Sequence, residues 1–253
     1  MIDLTLGYGV LLVVLGLVAG VINTLAGGGS NLTIPALMVA GLPPDVANAT
    51  NRVGVMMQSL TGMKQFHAKG KLPTADLNAI LVPTLLGGLL GAAAASYAPA
   101  YLLKPALLFT MLAMAALMLF KPSVVIPDAG TAVKLVKDTP GAWLALFVAG
   151  IYGGFVQAGV GFVLIAALAG TLRYDIISTN ALKIVCTVSF TAVALALFIY
   201  NDQVAWAPGL LLAIGSMVGA WLGVNIAMDI SAKVMKWFLF LMTLVAVIAA
   251  MLN

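Results

Sequence analysis

The stretch Gly27-Gly28-Gly29-Ser30-Asn31-Leu32-Thr33-Ile34-Pro35 breaks into one of the most apolar parts of the chain. Before it runs an unbroken apolar segment, 6–25, long enough to cross a bilayer core of about 30 Å as a helix. After it comes only a short apolar segment, 32–41, ended by Gly41-Leu42-Pro43-Pro44. Consecutive glycines hold a helix poorly. A break at that depth survives only where its backbone is buried in protein or lines a polar cavity. Composition places the break in a membrane. Soluble domains carry about 25% charged residues; this chain of 253 residues carries 8%, with 63% hydrophobic. Both a water-soluble globule and a disordered chain are excluded.

The remaining chemistry is sparse. All eight acidic residues are Asp, with one His and one Cys. That leaves no internal disulfide, no metal cluster, no catalytic carboxylate pair and no Ser-His-Asp grouping, so neither an enzyme nor a cofactor is expected. The net charge of +4 is spread between apolar runs and is no nucleic-acid signal. Met1-Ile2-Asp3 lacks the basic flank of a signal peptide, so the first apolar run is expected to be kept.

Eight runs are long enough to span: 6–25, 46–66, 77–97, 102–120, 141–158, 176–199, 206–226 and 233–252. Two shorter ones, 32–41 and 161–171, each follow a glycine break, the second being Gly159-Val160-Gly161. The order of elements repeats. Ala26-Gly27-Gly28-Gly29 corresponds to Ala158-Gly159-Val160-Gly161, Thr50-Asn51 to Thr179-Asn180, and Lys104 to Lys236. Residues 1–120 therefore form a first repeat and 141–253 a second, joined by a basic connector over 121–140. If each short helix doubles back, the halves are inverted. Ten of the twelve Lys and Arg then fall on one side, leaving only Arg52 and Lys104 opposite. Continuous crossings would divide them about evenly. The positive-inside rule selects the inverted form, with the connector cytoplasmic and both termini outside. The expected fold is an all-α polytopic membrane protein: an inverted-topology repeat of eight transmembrane helices plus two re-entrant half-helices.

A half-helix starting inside the membrane offers free N–H groups and the positive end of its dipole, which together favour an anion. Gly28, Gly29, Ser30 and Asn31 surround the first such end, with Thr33 as a cap and Pro35 in the first turn; Gln157 and Gly161 surround the second. Such paired breaks in inverted repeats point to a transporter's central site. Close helix packing is the plainer use of such glycines. Arg52 and Lys183 lie well inside their helices, and intramembrane cations are costly and functional by default. Neither helix has an acidic residue beyond its start, so an anionic substrate is the expected counter-charge; snorkelling to the interface is the alternative. Asn51 and Asn180 accompany them, and Gln58, Ser59, Thr187 and Ser189 extend the polar stripe.

Gly27-Gly28-Gly29-Ser30 with Pro35, then Gly41-Leu42-Pro43-Pro44 and Ala49-Thr50-Asn51-Arg52, resembles the TauE/SafE sulfite exporter family. Thr179-Asn180-Ala181-Leu182-Lys183 is similar to that family's second repeat, although the second turn reads GVG. The resemblance implies a multi-pass permease of the bacterial inner membrane for small sulfur-containing anions such as sulfite or organosulfonates. It carries Asn51, Arg52, Asn180, Lys183 and the glycine turns over as site residues. The expected partners are a small anionic substrate and membrane lipids; the oligomeric state is left open. Alternating access is the expected mechanism, with a channel-like anion pore, or a permease of this fold for another small organic anion, as the alternatives.

Overall fold

The computed structural model describes residues 6–25, 27–120 and 131–226, together with 244, 248, 251 and 252. These are helical, with no strand among the described residues. The order is α1 (Leu6–Leu25), α2 (Ser30–Val39), α3 (Pro44–Ala68), α4 (Leu77–Tyr97), α5 (Ala100–Phe120), a 3₁₀ turn (Val136–Asp138), α6 (Pro140–Phe155), α7 (Val160–Ile165), a π-helix (Ala166–Thr171), α8 (Ile176–Tyr200) and α9 (Trp206–Ile226). Four of them, α1, α4, α8 and α9, are long and apolar enough to cross a membrane. The expected span 233–252 lies almost wholly outside the described residues.

Local chemistry explains most boundaries. Pro44 and Pro140 start α3 and α6, where a missing N–H is harmless. Asp175 caps α8, accepting from the Ile177 and Ser178 amides at 2.9 and 3.0 Å and from the Ser178 hydroxyl at 2.6 Å. Partial burial works against the Asp175 charge, but the Ser178 and Ile177 donors outweigh it and hold the carboxyl below its ordinary value. Two expectations about α2 are corrected. The helix starts at Ser30, so Thr33 is inside it and cannot be its cap, and Pro35 falls in the second turn rather than the first. The capping is done by Asn23 of α1, whose Oδ1 accepts from the Gly29 amide at 2.7 Å.

The helices pack backbone to backbone through glycine. On α1, a Cβ at Gly16 or Gly20 would lie 2.4 Å from the Leu212 or Ser216 carbonyl oxygen of α9. On α6, a Cβ at Gly150 or Gly154 would lie 2.4 or 2.2 Å from the Thr84 or Gly88 carbonyl oxygen of α4. Small residues four apart allow this close approach where no hydrophobic effect drives apolar helices together. Between the two pairs, α3 and α8 cross antiparallel. Asp45 meets Gln203 just beyond α8, Arg52 faces Phe198, Gly62 touches Ile184, and Phe66 packs beside Ala181.

Loop contacts sort the molecule into two ends. At one, the Val136 amide donates to Asp76 (2.7 Å), the Lys134 amide to the Leu172 carbonyl (2.9 Å), and the Lys69 ammonium to Asn225 (3.2 Å). Lys71 borders a cleft there with Asp175 and Ser178. At the other end, Asn201 and Gln203 bond to Ser96, and Gln203 also reaches Asp45. The Lys134–Leu172 bond joins the approach to α6 with the exit from the π-helix, so this segment folds back to the end it came from. Tyr8 and Leu42 both pack against the core cluster that contains Leu12, Ile34 and Leu37.

Two outcomes follow for thermal unfolding of the detergent-solubilised protein. Gly91→Ala places a methyl 2.0 Å from the Ile151 carbonyl oxygen and should cost about 1–3 kcal/mol by overpacking, whereas Gly7→Ala enters open space and should change stability little. Asp175→Ala should cost about 1 kcal/mol as a lost cap. Because the folded carboxyl titrates below its unfolded value, that difference should be full at neutral pH and fade as pH falls through the depressed folded value.

Candidate functional site

A helix leaves its last four carbonyls without helical donors. Where α6 stops, all four find partners. The Tyr152 carbonyl accepts from the Val156 and Gln157 amides at 2.9 and 3.1 Å. Arg52 of α3 donates from Nη1 to the Gly153 carbonyl and from Nη2 to that of Gly154, both at 2.6 Å. Asn48 of α3 donates to the Phe155 carbonyl at 2.9 Å, which Nη2 also approaches at 3.4 Å. The Arg52 guanidinium is fully buried and sits 5.6 Å from the centre of the Phe198 ring. Where α1 stops, the Gly27 amide closes on the Ile22 carbonyl at 3.1 Å. The Lys183 ammonium of α8 donates to the Thr24 carbonyl at 3.2 Å and to the Asn180 side-chain oxygen at 2.9 Å. Each buried cation thus caps the negative end of a helix that breaks.

The two breaks touch. A Cβ on Gly27, whose φ is +80°, would lie 2.4 Å from the Gly161 Cα. In the second break Gln157 (φ +64°) and Gly159 (φ +77°) are left-handed; for a glutamine that is uncommon. The turn aims the chain so that Gln157 and Gly161 both border a small cavity with Asn23, Gln58, Ser59 and Lys183. Its volume is about 20 Å³, enough for about one water. The lining has one cation, three side-chain amides and three hydroxyls, and no carboxylate among its residues.

Of the residues singled out in the sequence, Gln157, Gly161 and Lys183 line this cavity, as do Gly27 and, from the polar stripe, Gln58, Ser59 and Thr187. Asn180 stands behind Lys183 as its acceptor. Gly28, Gly29, Ser30, Asn31, Asn51 and Arg52 do not line it. Gly28 and Gly29 form the turn into α2, the Gly28 carbonyl accepting from the Asn31 amide at 3.1 Å. Asn51 braces α3 against α2: its Nδ2 donates to Ser30 at 3.0 Å and its Oδ1 accepts from Thr33 at 2.5 Å. Asn31 is fully buried, and neither atom of its side-chain amide has a partner among the described residues. Asn23 and Thr24 were missed. Two polar residues at the very end of an apolar run were the available signal.

A family model described as sulfite exporter TauE/SafE matches residues 12–250. The chain belongs to the TauE/SafE sulfite exporter family. A probable membrane transporter protein of Haemophilus influenzae is 30% identical to it, over 84% of this chain and 82% of that one. A probable membrane transporter protein of a Sinorhizobium species, ORF9, is 27% identical over 92% and 88%, and YfcA of Escherichia coli, also named a probable membrane transporter protein, is 27% identical over 87% and 81%. This TauE/SafE member is thus a multi-pass membrane transporter, and transporters of this kind are not enzymes.

The capping arrangement has a direct consequence. Arg52→Met strips donors from the Gly153 and Gly154 carbonyls, at about 1–3 kcal/mol for each buried group left unpaired. Thermal unfolding in detergent should therefore show a loss of about 3 kcal/mol or more. Arg52→Lys should recover only part of it, since an ammonium cannot fork across two carbonyls as a guanidinium does.

Proposed function

We propose that this chain exports small sulfur-containing anions, such as sulfite or organosulfonates, by alternating access across a bacterial inner membrane. The observation that carries the proposal is the placement of Lys183. Its ammonium borders a small cavity between the two helix breaks, at 2% exposure, with no carboxylate among the residues lining it. An oxyanion supplies the missing counter-charge and accepts hydrogen bonds from the amides and hydroxyls around it. Lys183, Gln157 and Gly161 are the direct contacts in this proposal, with Asn180 orienting the ammonium. Gly28, Gly29, Ser30, Asn31, Asn51 and Arg52 shape the hairpins that carry them.

The transport frame is an inverted repeat of residues 1–120 and 141–253 about a cytoplasmic connector, with eight transmembrane helices and two re-entrant half-helices, the eighth span being 233–252. Three features support it. The glycine contact of α1 with α9 has its counterpart in that of α6 with α4. The helices α3 and α8, in corresponding places, run antiparallel. Among the described residues, the end that gathers Lys69, Lys71 and Lys134 is the more basic, which by the positive-inside rule supports reading it as the cytoplasmic one, with both termini outside.

An anion leaving a negative cytoplasm gains about 2.3 kcal/mol per charge per 100 mV. Export therefore requires no coupling ion. A channel-like pore would use the same residues along an open path; a cavity with room for about one water favours alternating access.

Two measurements test the proposal. Sulfite should raise the thermal stability of the purified protein, and Lys183→Met should abolish that protection. In liposomes, sulfite flux should follow an imposed voltage and persist without sodium. Flux that ignores voltage and demands a sodium gradient would overturn potential-driven export. The absence of protection by any sulfur oxyanion or sulfonate would overturn the substrate class.

A further inference from the structure

The two buried cations perform the same capping task with unequal commitment. Arg52 forks across the Gly153 and Gly154 carbonyls at 2.6 Å, approaches a third, stacks near Phe198, and is walled off from the cavity. Lys183 holds one helix-end carbonyl, that of Thr24, at 3.2 Å, and borders the cavity. An ammonium has three N–H donors and a guanidinium five. Of the two cations, only Lys183 borders the space a solute would enter.

We propose that Lys183 is an exchangeable latch: a substrate oxyanion entering the cavity takes the ammonium from the Thr24 carbonyl and so frees the end of α1, while Arg52 keeps the end of α6 fixed. This rests on the anion-permease reading above and adds to it which hairpin moves and what moves it.

Three physical arguments support the exchange. The bond from Lys183 to the Thr24 carbonyl is already charge-assisted, but an oxyanion carries a full negative charge where a carbonyl carries only a partial one, so Coulomb attraction draws the ammonium to the oxyanion. The C-terminal end of α1 carries partial negative charge, so an anion on the same ammonium repels the helix end it displaces. The cavity, at about 20 Å³, holds about one water, so an anion with three oxygens is admitted only if a wall retreats. The wall between the breaks is the bare contact of Gly27 with Gly161, where no side chains interlock. The α6 end has no comparable freedom, because its four carbonyls are closed by Arg52, Asn48 and its own turn. The two hairpins therefore work unequally.

Hydrogen–deuterium exchange on the full-length protein in detergent reads this directly. The reporters are the Gly27 and Gly29 amides at the α1 end, and those of Val156 and Gln157 at the α6 end. Without any anion, Lys183→Met should speed exchange at the α1 end by about tenfold or more, the worth of one charge-assisted hydrogen bond, and leave the α6 end unchanged. In the wild type, sulfite should produce the same one-sided acceleration. Lys183→Arg serves as the second variant, since it keeps a cation at the Thr24 carbonyl: it should restore slow exchange at the α1 end. The latch is overturned if Lys183→Met leaves the α1 end as slow as in the wild type, if both ends accelerate together, or if sulfite stabilises the protein against heat yet leaves the α1 end unchanged. Failure of sulfite to stabilise the wild type would count against the substrate proposal, while the ligand-free Lys183→Met arm would still decide whether the ammonium holds the helix end.

Discussion

The carbonyl oxygens left over where α1 and α6 stop are the constraint on which the rest of the structure depends. In water such groups would be hydrated. Within apolar surroundings each one left bare costs several kilocalories per mole. The chain meets that demand across long sequence distances. Arg52 and Asn48, on α3, close the end of α6, and Lys183, on α8, closes the end of α1. Neither break can therefore be satisfied by its own hairpin. The α1–α2 hairpin needs α8, the α6–α7 hairpin needs α3, and the antiparallel crossing of α3 with α8 ties the two requirements together. The glycine faces of α1 with α9 and of α4 with α6 hold the outer helices close enough for these contacts to form.

Burying a cation is expensive, and a hydrophobic replacement often packs as well. Arg52 and Lys183 persist because aligned carbonyls at a helix end are a concentrated source of negative potential. A methionine in either place would save the desolvation cost and leave the helix end unpaired. Arginine suits the α6 end because three successive carbonyls there face one way and a planar fork can span them. Lysine suits the α1 end because its compact head meets a single carbonyl while still bordering the cavity. The chemical difference between the two side chains thus tracks the difference between a fixed joint and a surface that faces solute.

Much of this was legible in the sequence. The break at Gly27-Gly28-Gly29, the short helix after it and the place of Arg52 and Lys183 well inside α3 and α8 all follow from apolar run lengths and their punctuation. The capping partners were not legible, because Arg52 bonds to carbonyls about a hundred positions away, and backbone acceptors leave no mark in the residue alphabet. Counting the orphaned carbonyls at each break would have shown that donors were needed, though not which ones. Asn51 reads from sequence as a ligand for an anion, and in the structure its side chain braces α3 against α2; residue type alone does not distinguish the two uses. The π-helix after α7 also escaped, since nothing in Ala166–Thr171 departs from ordinary helical composition.

The unequal glycine content of the two breaks has a geometric cause. Gly27 sits against the Gly161 backbone, so Gly27 must lack a side chain. Gly29 lies where a Cβ would fall 2.2 Å from the Ala19 carbonyl oxygen of the preceding helix, so the first turn needs a further glycine for its own return. Gly159 must be glycine for its left-handed φ of +77°, with Met114 close by. Val160, between the two glycines of the second turn, opens α7, and its side chain packs into the cluster formed by Leu164, Leu168 and Cys186. A valine is thus tolerated where the first turn has glycine, because the second turn makes its close approaches at the positions on either side. The motif written in glycines is a record of which backbone atoms must touch. At the pair that both breaks share, Gly27 against Gly161, a side chain added to Gly27 would prop the two hairpins apart.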